Sequence, residues 1–418
     1  MAPARPRVSR PAARLLVVGA LVATAAACTG SDDTETAPTV VTTTTIAPDP
    51  RVDDGVLRIG ALIPVGDTLI GTSLDAAARD AVEAINEAGG ALGSDVELVV
   101  EDEGATAATA SAAIGSLVAD GVDAIVGPSS SLTALGALDD AVAAGIVTCS
   151  PTATAIALDD FPDERLFFRS VPADSLQAEA LAELADNTGE RRVAVVFVDD
   201  AYGRPYAEAV TDALDGRQLT VDSIAIPAGV EDFSSGAVGL VDSGADVAIV
   251  VGAAGDAARF LDALGQLDFS GLSTILVNDA ARDTVVRPVI SALPGDLRDR
   301  IVGVAPQITI DSDEDAVPFA PQVVDCMNLL ALSAIQADSD SPTAIAQQMP
   351  SASAGGSVCD TFADCVADLD AGRQIDYNGP TGNAELNREG QTSRARFDVF
   401  QFAPDGSDST VRSVTVRS

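Results

Sequence analysis

Residues 96–131 read VELVVEDEGATAATASAAIGSLVADGVDAIVGPSSS, and the organisation of the chain is already visible in them. A β-branched run, VELVVED, gives way to an Ala- and Leu-rich stretch of helical spacing that ends near Gly121, and a second β-branched run, DAIVG, follows at once. Strands joined through a helix cannot form a tight antiparallel hairpin, so this is a βαβ unit. The same pattern continues outward. Upstream, VLRIGALIP (56–64) leads into a helix that ends at Gly89-Gly90. Downstream, a helix ends near Gly145 and the strand IVTCS (146–150) follows. A second series starts at RRVAVVFV (191–198), with a helix over 202–214, LTVDSIAI (219–226), a helix over 233–241, DVAIVV (246–251), a helix over 256–267, then STILVND (273–279) and a successor helix. The fold class is therefore α/β, built as two doubly wound parallel-sheet lobes whose faces are covered by helices.

With 418 residues, 47% of them hydrophobic, the chain can bury a sizeable core and fill two domains. Its charge points away from polyanions: Lys and Arg number 24 against 63 Asp and Glu, a net charge of -39, which repels nucleic acid and anionic membrane surfaces. No histidine is present, which excludes imidazole metal sites, Ser-His-Asp triads and histidine bases. No CxxC spacing supports a metal or redox centre, and no cofactor is expected.

Residues 1–27 read as a signal peptide: Arg5, Arg7, Arg10 and Arg14 precede an apolar run too short to span a bilayer. Ala25, Ala26 and Ala27 before Cys28 resemble a bacterial lipobox, with Ala25 where leucine is usual. Cys28 is then the lipid attachment point; ordinary cleavage that leaves it a free thiol is the alternative. Residues 28–52 are polar and rich in Thr and Pro, as a solvated tether would be. The expected location is outside the cell, lipid-anchored on the outer face of the cytoplasmic membrane.

In such sheets, ligands bind beyond the carboxyl ends of the strands, and between two lobes the cleft is the default site. Four segments qualify. Ser129-Ser130-Ser131 follow DAIVG and Thr152-Ala153-Thr154 follow IVTCS, each read as leading into a helix. Two helix starts with hydroxyls offer unpaired N–H donors and a positive dipole end, which suit a carboxylate. In the second series, VFVDD leads to Tyr202 and STILV ends at Asn278-Asp279. An acid there can pair with an ammonium, and Tyr202 can cover the ligand from the opposite lobe. Helix capping explains Ser, Thr and Asp at these places equally well, and the two roles are compatible.

The segments IGALIPVG at Ile59, GVDAIVGPSSS at Gly121, SPTAT at Ser150, FRSVPAD at Phe168, VVFVDDAYG at Val195 and DYNGPTG at Asp376, in that order, resemble the leucine/isoleucine/valine-binding group of type I periplasmic binding proteins. The resemblance runs from Val56 to about Phe402. It implies a three-segment hinge joining lobe 1 (53–172 plus 304–396) to lobe 2 (173–303 plus 397–418). It also implies that the Ser131 and Thr154 hydroxyls, with main-chain groups near Thr152, take a ligand carboxylate, that Tyr202 faces it across the cleft, and that Asp279 grips the α-ammonium. A further aromatic used by some members falls near Ala253, and Leu69 and Ile70 stand where a side-chain contact would come.

Of the remaining cysteines, Cys359 and Cys365 lie close enough to close a small disulfide loop in an oxidising compartment, while Cys149 and Cys326 either pair or stay buried as small hydrophobes. The functional expectation is a monomeric solute-binding receptor for an ABC transporter permease, closing on a small amino acid, with no catalytic residue. An amide, urea or short carboxylate as ligand, and a sensor acting through a separate partner, are the alternatives. The acid pairs Asp159-Asp160 and Asp199-Asp200 read as solvated surface charge rather than as catalytic carboxylates.

Overall fold

The computed structural model describes residues 53–65, 69–307, 319–382 and 385–417. The expected signal peptide, Cys28, the expected linker to residue 52 and the Leu69 side chain fall outside the described residues.

The first sheet holds β1 (Arg58–Ile63), β2 (Glu97–Asp102), β3 (Ala124–Val126), β4 (Val147–Ser150) and β5 (Phe167–Arg169), all parallel, in the order β2-β1-β3-β4-β5. Helices α1 (Leu69–Glu87), α2 (Ala107–Ala119) and α3 (Ser131–Ala143) connect the first four strands. The strands are apolar on both faces because both are covered. Ile59, Ala61 and Ile63 enter one core, while Leu62 enters another with residues of α2 and α3. Thr106 starts α2 with a reciprocal capping box through Thr109.

The strand β5 is absent from the sequence reading, and the helix expected after β4 does not form. Only a three-residue 3-10 turn, Ile156–Leu158, stands there. Pro162 arrives too soon after Thr154 for a full helix, and the fully buried Arg169 fixes the loop through its carbonyls instead.

The chain then enters the second lobe through α4 (Asp174–Asn187), β6 (Arg192–Asp199), α5 (Gly203–Asp215), β7 (Thr220–Pro227), α6 (Ser234–Ser243), β8 (Val247–Val251), α7 (Ala254–Leu264), β9 (Thr274–Val277), α8 (Arg287–Ala292), α9 (Gly295–Arg298) and β10 (Ile301–Pro306). It returns to the first lobe with α10 (Ala320–Ala337), α11 (Pro342–Ala352), β11 (Ser357–Cys359), α12 (Phe362–Asp370) and β12 (Ile375–Tyr377), where β11 and β12 make a small parallel pair. Finally β13 (Arg394–Phe402) and β14 (Asp408–Arg417) close the second sheet, in the order β14-β13-β10-β9-β8-β6-β7. These last two strands pair antiparallel, across a turn at Asp405-Gly406, so the second sheet is parallel only from β10 to β7.

Two expected crossings, after 303 and after 396, fall inside strands. β10 bonds to β9 and β13 as far as Pro306, and β13 begins at Arg394. A hydrogen-bonded strand is not divided between lobes, so the chain changes sheets after 306 and before 394. Disulfides join Cys149 on β4 to Cys326 on α10, and Cys359 to Cys365. Among the described residues, no helix is long and apolar enough to cross a membrane.

Candidate functional site

The site is assembled at the carboxyl ends of β3 and β4. Gly127 follows β3 with φ +125, and a Cβ there would lie 2.1 Å from the Leu62 carbonyl oxygen, so only glycine lets the loop pass so close to β1. Beyond it, the Ser129 N–H and hydroxyl both donate to the buried carboxylate of Glu103, each at 2.6 Å. Burial raises the Glu103 pKa, and these bonds oppose the shift. Ser130 caps α3, leaving Ser131 as the first helical residue.

The Ser131 hydroxyl oxygen accepts from the Thr154 N–H at 3.1 Å and the Ala155 N–H at 3.2 Å. With both lone pairs used, the hydroxyl has its proton left to give, which makes it a directed donor. The neighbouring loop is held from several sides. The Ser150 hydroxyl donates to the Pro128 carbonyl at 2.6 Å and accepts from the Ala153 N–H at 3.0 Å. Arg169 donates to the carbonyls of Ala153 at 3.3 Å and Ala155 at 3.1 Å, and pairs with Asp159 at 2.5 Å. Asp159, expected as a solvated acid, is therefore the counter-ion of a buried guanidinium. The Thr152 hydroxyl donates to the Ser129 carbonyl, tying the two loops together. Its side chain is a brace.

Across the cleft, the Asp200 carboxylate accepts from the Tyr202 and Gly203 N–H groups at 2.9 and 2.7 Å and sets the turn that presents Tyr202. Gly203 allows α5 to start hard against β6, since a Cβ there would be 2.2 Å from the Val198 oxygen. Asp199 is paired with Arg204, so this acid pair too has structural work. Tyr202 meets Tyr206 edge-on, with centroids 5.9 Å apart, and packs against the core of the first lobe, while Ile156 packs against that of the second. The lobes thus touch across the site.

The structure brings Thr154, Tyr202 and Asp279 together around an acid the sequence reading did not single out, Asp174. Its N–H donates to the Thr154 carbonyl at 2.9 Å, and its Oδ2 is buried without a hydrogen-bond partner. Burial, then the charge of Asp279, hold its pKa well above the usual carboxylate range; Thr154, Arg169 and Tyr202 oppose that shift. Asp279 is also raised by burial, against hydrogen bonds from Gln177 and from the N–H groups of Asp279 and Ala280. Gln177 accepts from the Tyr206 hydroxyl and donates to the Val304 carbonyl at 3.1 Å. Burial and the two acids push Tyr202 well up as well, so it stays a neutral donor. Asp174 and Gln177 lie three apart on one face of α4. The available signal was the acid in FRSVPAD, hidden because Phe167–Arg169 was not read as a strand.

Beside this cluster an open cleft is lined by Ile70, Asp279, Arg282, Pro306, Phe319 and Gln322, from both lobes. Ala253 is an exposed residue before α7. Hydroxyl donors on one wall and two acids on the other make a site of opposite polar character at its two ends. Residues 57–316 match the family model described as periplasmic binding protein.

The chain belongs to the periplasmic binding protein family. It is similar to the chemotactic signal transduction system substrate-binding protein BasB of Halobacterium salinarum, at 29% identity over 79% of this chain and 83% of that one. It is also similar to the Leu/Ile/Val-binding protein BraC3 of Rhizobium johnstonii, at 32% identity over 47% of this chain and 54% of the relative. Among solved structures, the leucine-binding protein LivK of Thermotoga maritima superposes with a TM-score of 0.69 at 18% identity, covering 86% of this chain and 99% of that one. The fold is that of a type I periplasmic binding protein.

Proposed function

We propose that this periplasmic binding protein is the ligand receptor of an ABC importer, that it takes a small amino acid of the branched-chain kind, and that it performs no chemistry on it. The observation that carries this reading is the polarity of the cleft. Ser131, its lone pairs occupied, and Thr154 offer hydroxyl protons from the first lobe to a carboxylate. Tyr202 and Asp279 approach from the second, and Asp279 provides the negative charge an ammonium requires. A zwitterion satisfies both ends, and a simple carboxylic acid leaves Asp279 uncompensated. Arrival at the permease would follow export and lipid attachment at Cys28, with the protein acting as a monomer. A sensor role is the second reading, favoured by the BasB relative, whose name places it in a chemotactic system.

Calorimetric titration with a panel of amino acids, amides and aliphatic acids tests the ligand class. The best amino acid should lose about 2–5 kcal/mol of affinity in Asp279→Asn, as expected for a buried charge pair cut on one side. Equal affinity in parent and variant would refute the ammonium contact. Uptake of the labelled ligand by cells lacking the gene separates importer from sensor: unchanged uptake would leave sensing.

A further inference from the structure

Arg169 is fully buried, and all three nitrogens of its guanidinium group are engaged. Nε donates to Gln391 Oε1 at 2.5 Å, Nη1 to the carbonyls of Ala153 and Ala155 at 3.3 and 3.1 Å, and Nη2 to Asp159 at 2.5 Å. The Arg169 N–H also donates to the Gly390 carbonyl at 2.9 Å, so the residue is fixed at both ends of its stem. The guanidinium cannot swing out to touch a ligand, yet it is joined to a ligand-facing hydroxyl through one peptide unit. The Ala153 carbonyl shares that unit with the Thr154 N–H, which donates to the Ser131 hydroxyl oxygen at 3.1 Å. Hydrogen bonds in such a chain polarise one another, so a positive charge at one end strengthens the proton that Ser131 offers at the other. The counter-ion is placed unevenly: the Asp159 side chain is 26% exposed and that of Arg169 is 0%. Solvent screens the acid more than the guanidinium, which leaves a net positive field at the loop. We propose that Arg169 is a positioning residue for the ligand carboxylate, acting through the 153–154 peptide and Ser131. Its buried charge makes the cleft prefer a carboxylate to a neutral amide, and Asp159 sets how strongly.

This inference rests on the amino-acid reading above and names the group that favours the acid end of the ligand. Asp174 and Asp279 offer a carboxylate no attraction, and Arg282 is spent in the second lobe on Asp408 at 2.9 Å and Asp398 at 3.5 Å. Among the described residues, Arg169 is the cation bonded to the carboxylate loop.

The test is calorimetry of the parent, Asp159→Asn and Arg169→Met with leucine and with leucinamide, at about pH 6, where both probes carry the ammonium. Leucinamide keeps the side chain and replaces the carboxylate by a neutral amide. The parent should bind leucine more tightly by about tenfold or more. Asp159→Asn uncovers the buried charge and should tighten leucine by about tenfold, with a far smaller change for leucinamide. Arg169→Met should weaken leucine by about tenfold or more, again with a far smaller change for leucinamide. A leucine-to-leucinamide ratio in Asp159→Asn that matches the parent's, or an Arg169→Met protein that weakens both probes equally, overturns the role of Arg169 while the amino-acid reading stands. A parent that prefers leucinamide, or binds neither probe, overturns that reading and this inference with it. Should Arg169→Met fail to fold, the ratio in Asp159→Asn decides alone.

Discussion

Asp325, inside the first lobe, and Asp174, at the cleft, are both buried acids with no ion-pair partner among the described residues, and the fold completes one and leaves the other open. Asp325 accepts the Tyr377 hydroxyl at 2.9 Å on one oxygen and the Thr381 hydroxyl on the other, and Asn328 donates to the tyrosine oxygen at 2.8 Å. Gly379 stands where a Cβ would be 2.0 Å from Asp325 Oδ1, so the 375–382 segment is wrapped closely around it. Asp174 keeps one oxygen bare and has a second acid for a neighbour. A buried carboxylate whose acceptors are filled by its own lobe fastens segments together. One that is left short, at a place where two lobes meet, awaits something from outside.

The largest effect that can sharpen this contrast is covalent. Cys326 follows Asp325 on α10 and is tied to Cys149 across 177 residues, against a separation of 6 for Cys359 and Cys365. By loop-closure entropy the long link contributes about 5 kcal/mol and the short one about 2 kcal/mol. Urea unfolding of the paired Cys→Ala variants should show that order. Loss of the Cys149–Cys326 link should lower stability while preserving amino-acid binding. Binding lost along with stability would mean that the two regions are not separable.

The next effect is in pH. Burial raises the Asp325 pKa to about 7, against its hydroxyl donors. Because the folded protein holds this proton more tightly than the unfolded chain, its contribution to stability is present at low pH. It declines as pH rises from about 4 to about 7, by roughly 4 kcal/mol in total. Asp325→Asn should therefore flatten the fall in unfolding free energy across that window, measured by urea titration at a series of pH values, and leave ligand selectivity alone. An identical pH profile in parent and variant would remove Asp325 from the account.

The smallest effect belongs to the cleft's hydroxyl. Tyr202→Phe removes one hydroxyl from the cleft and should cost about 1 kcal/mol in amino-acid affinity, since a single hydrogen bond is worth about that much net. Calorimetry measures it. A loss as large as that of Asp279→Asn would make the tyrosine, and not the acids, the chief grip on the ligand.

The apolar runs and glycine stops of 56–150 and 191–279 revealed most of the strands and helices, because each strand buried on both faces must be continuously apolar. They also singled out Ser131, Thr154, Tyr202 and Asp279 as candidates, by the simple rule that ligands sit past strand ends. Asp174 escaped because β5 is only Phe167–Arg169, too short for a periodic signal, and the false helix after β4 came from a hydroxyl cluster that caps a loop. Thr152 looked like its neighbours in sequence, yet its hydroxyl turns to the Ser129 carbonyl.

By itself, then, the sequence determined the βα alternation, the two-lobed α/β class and the chemical types available at the strand ends, since these depend on local spacing and burial pattern. Tertiary structure alone decided which of those residues meet. Whether Ser131 spends its lone pairs on the 154–155 amides, whether Arg169 neutralises Asp159, and whether Asp174 stands beside Asp279 with an oxygen to spare are matters of contact between segments distant in the chain. Periodicity carries no record of such contacts, because hydrogen bonds and buried charges are satisfied by whatever the fold brings within reach.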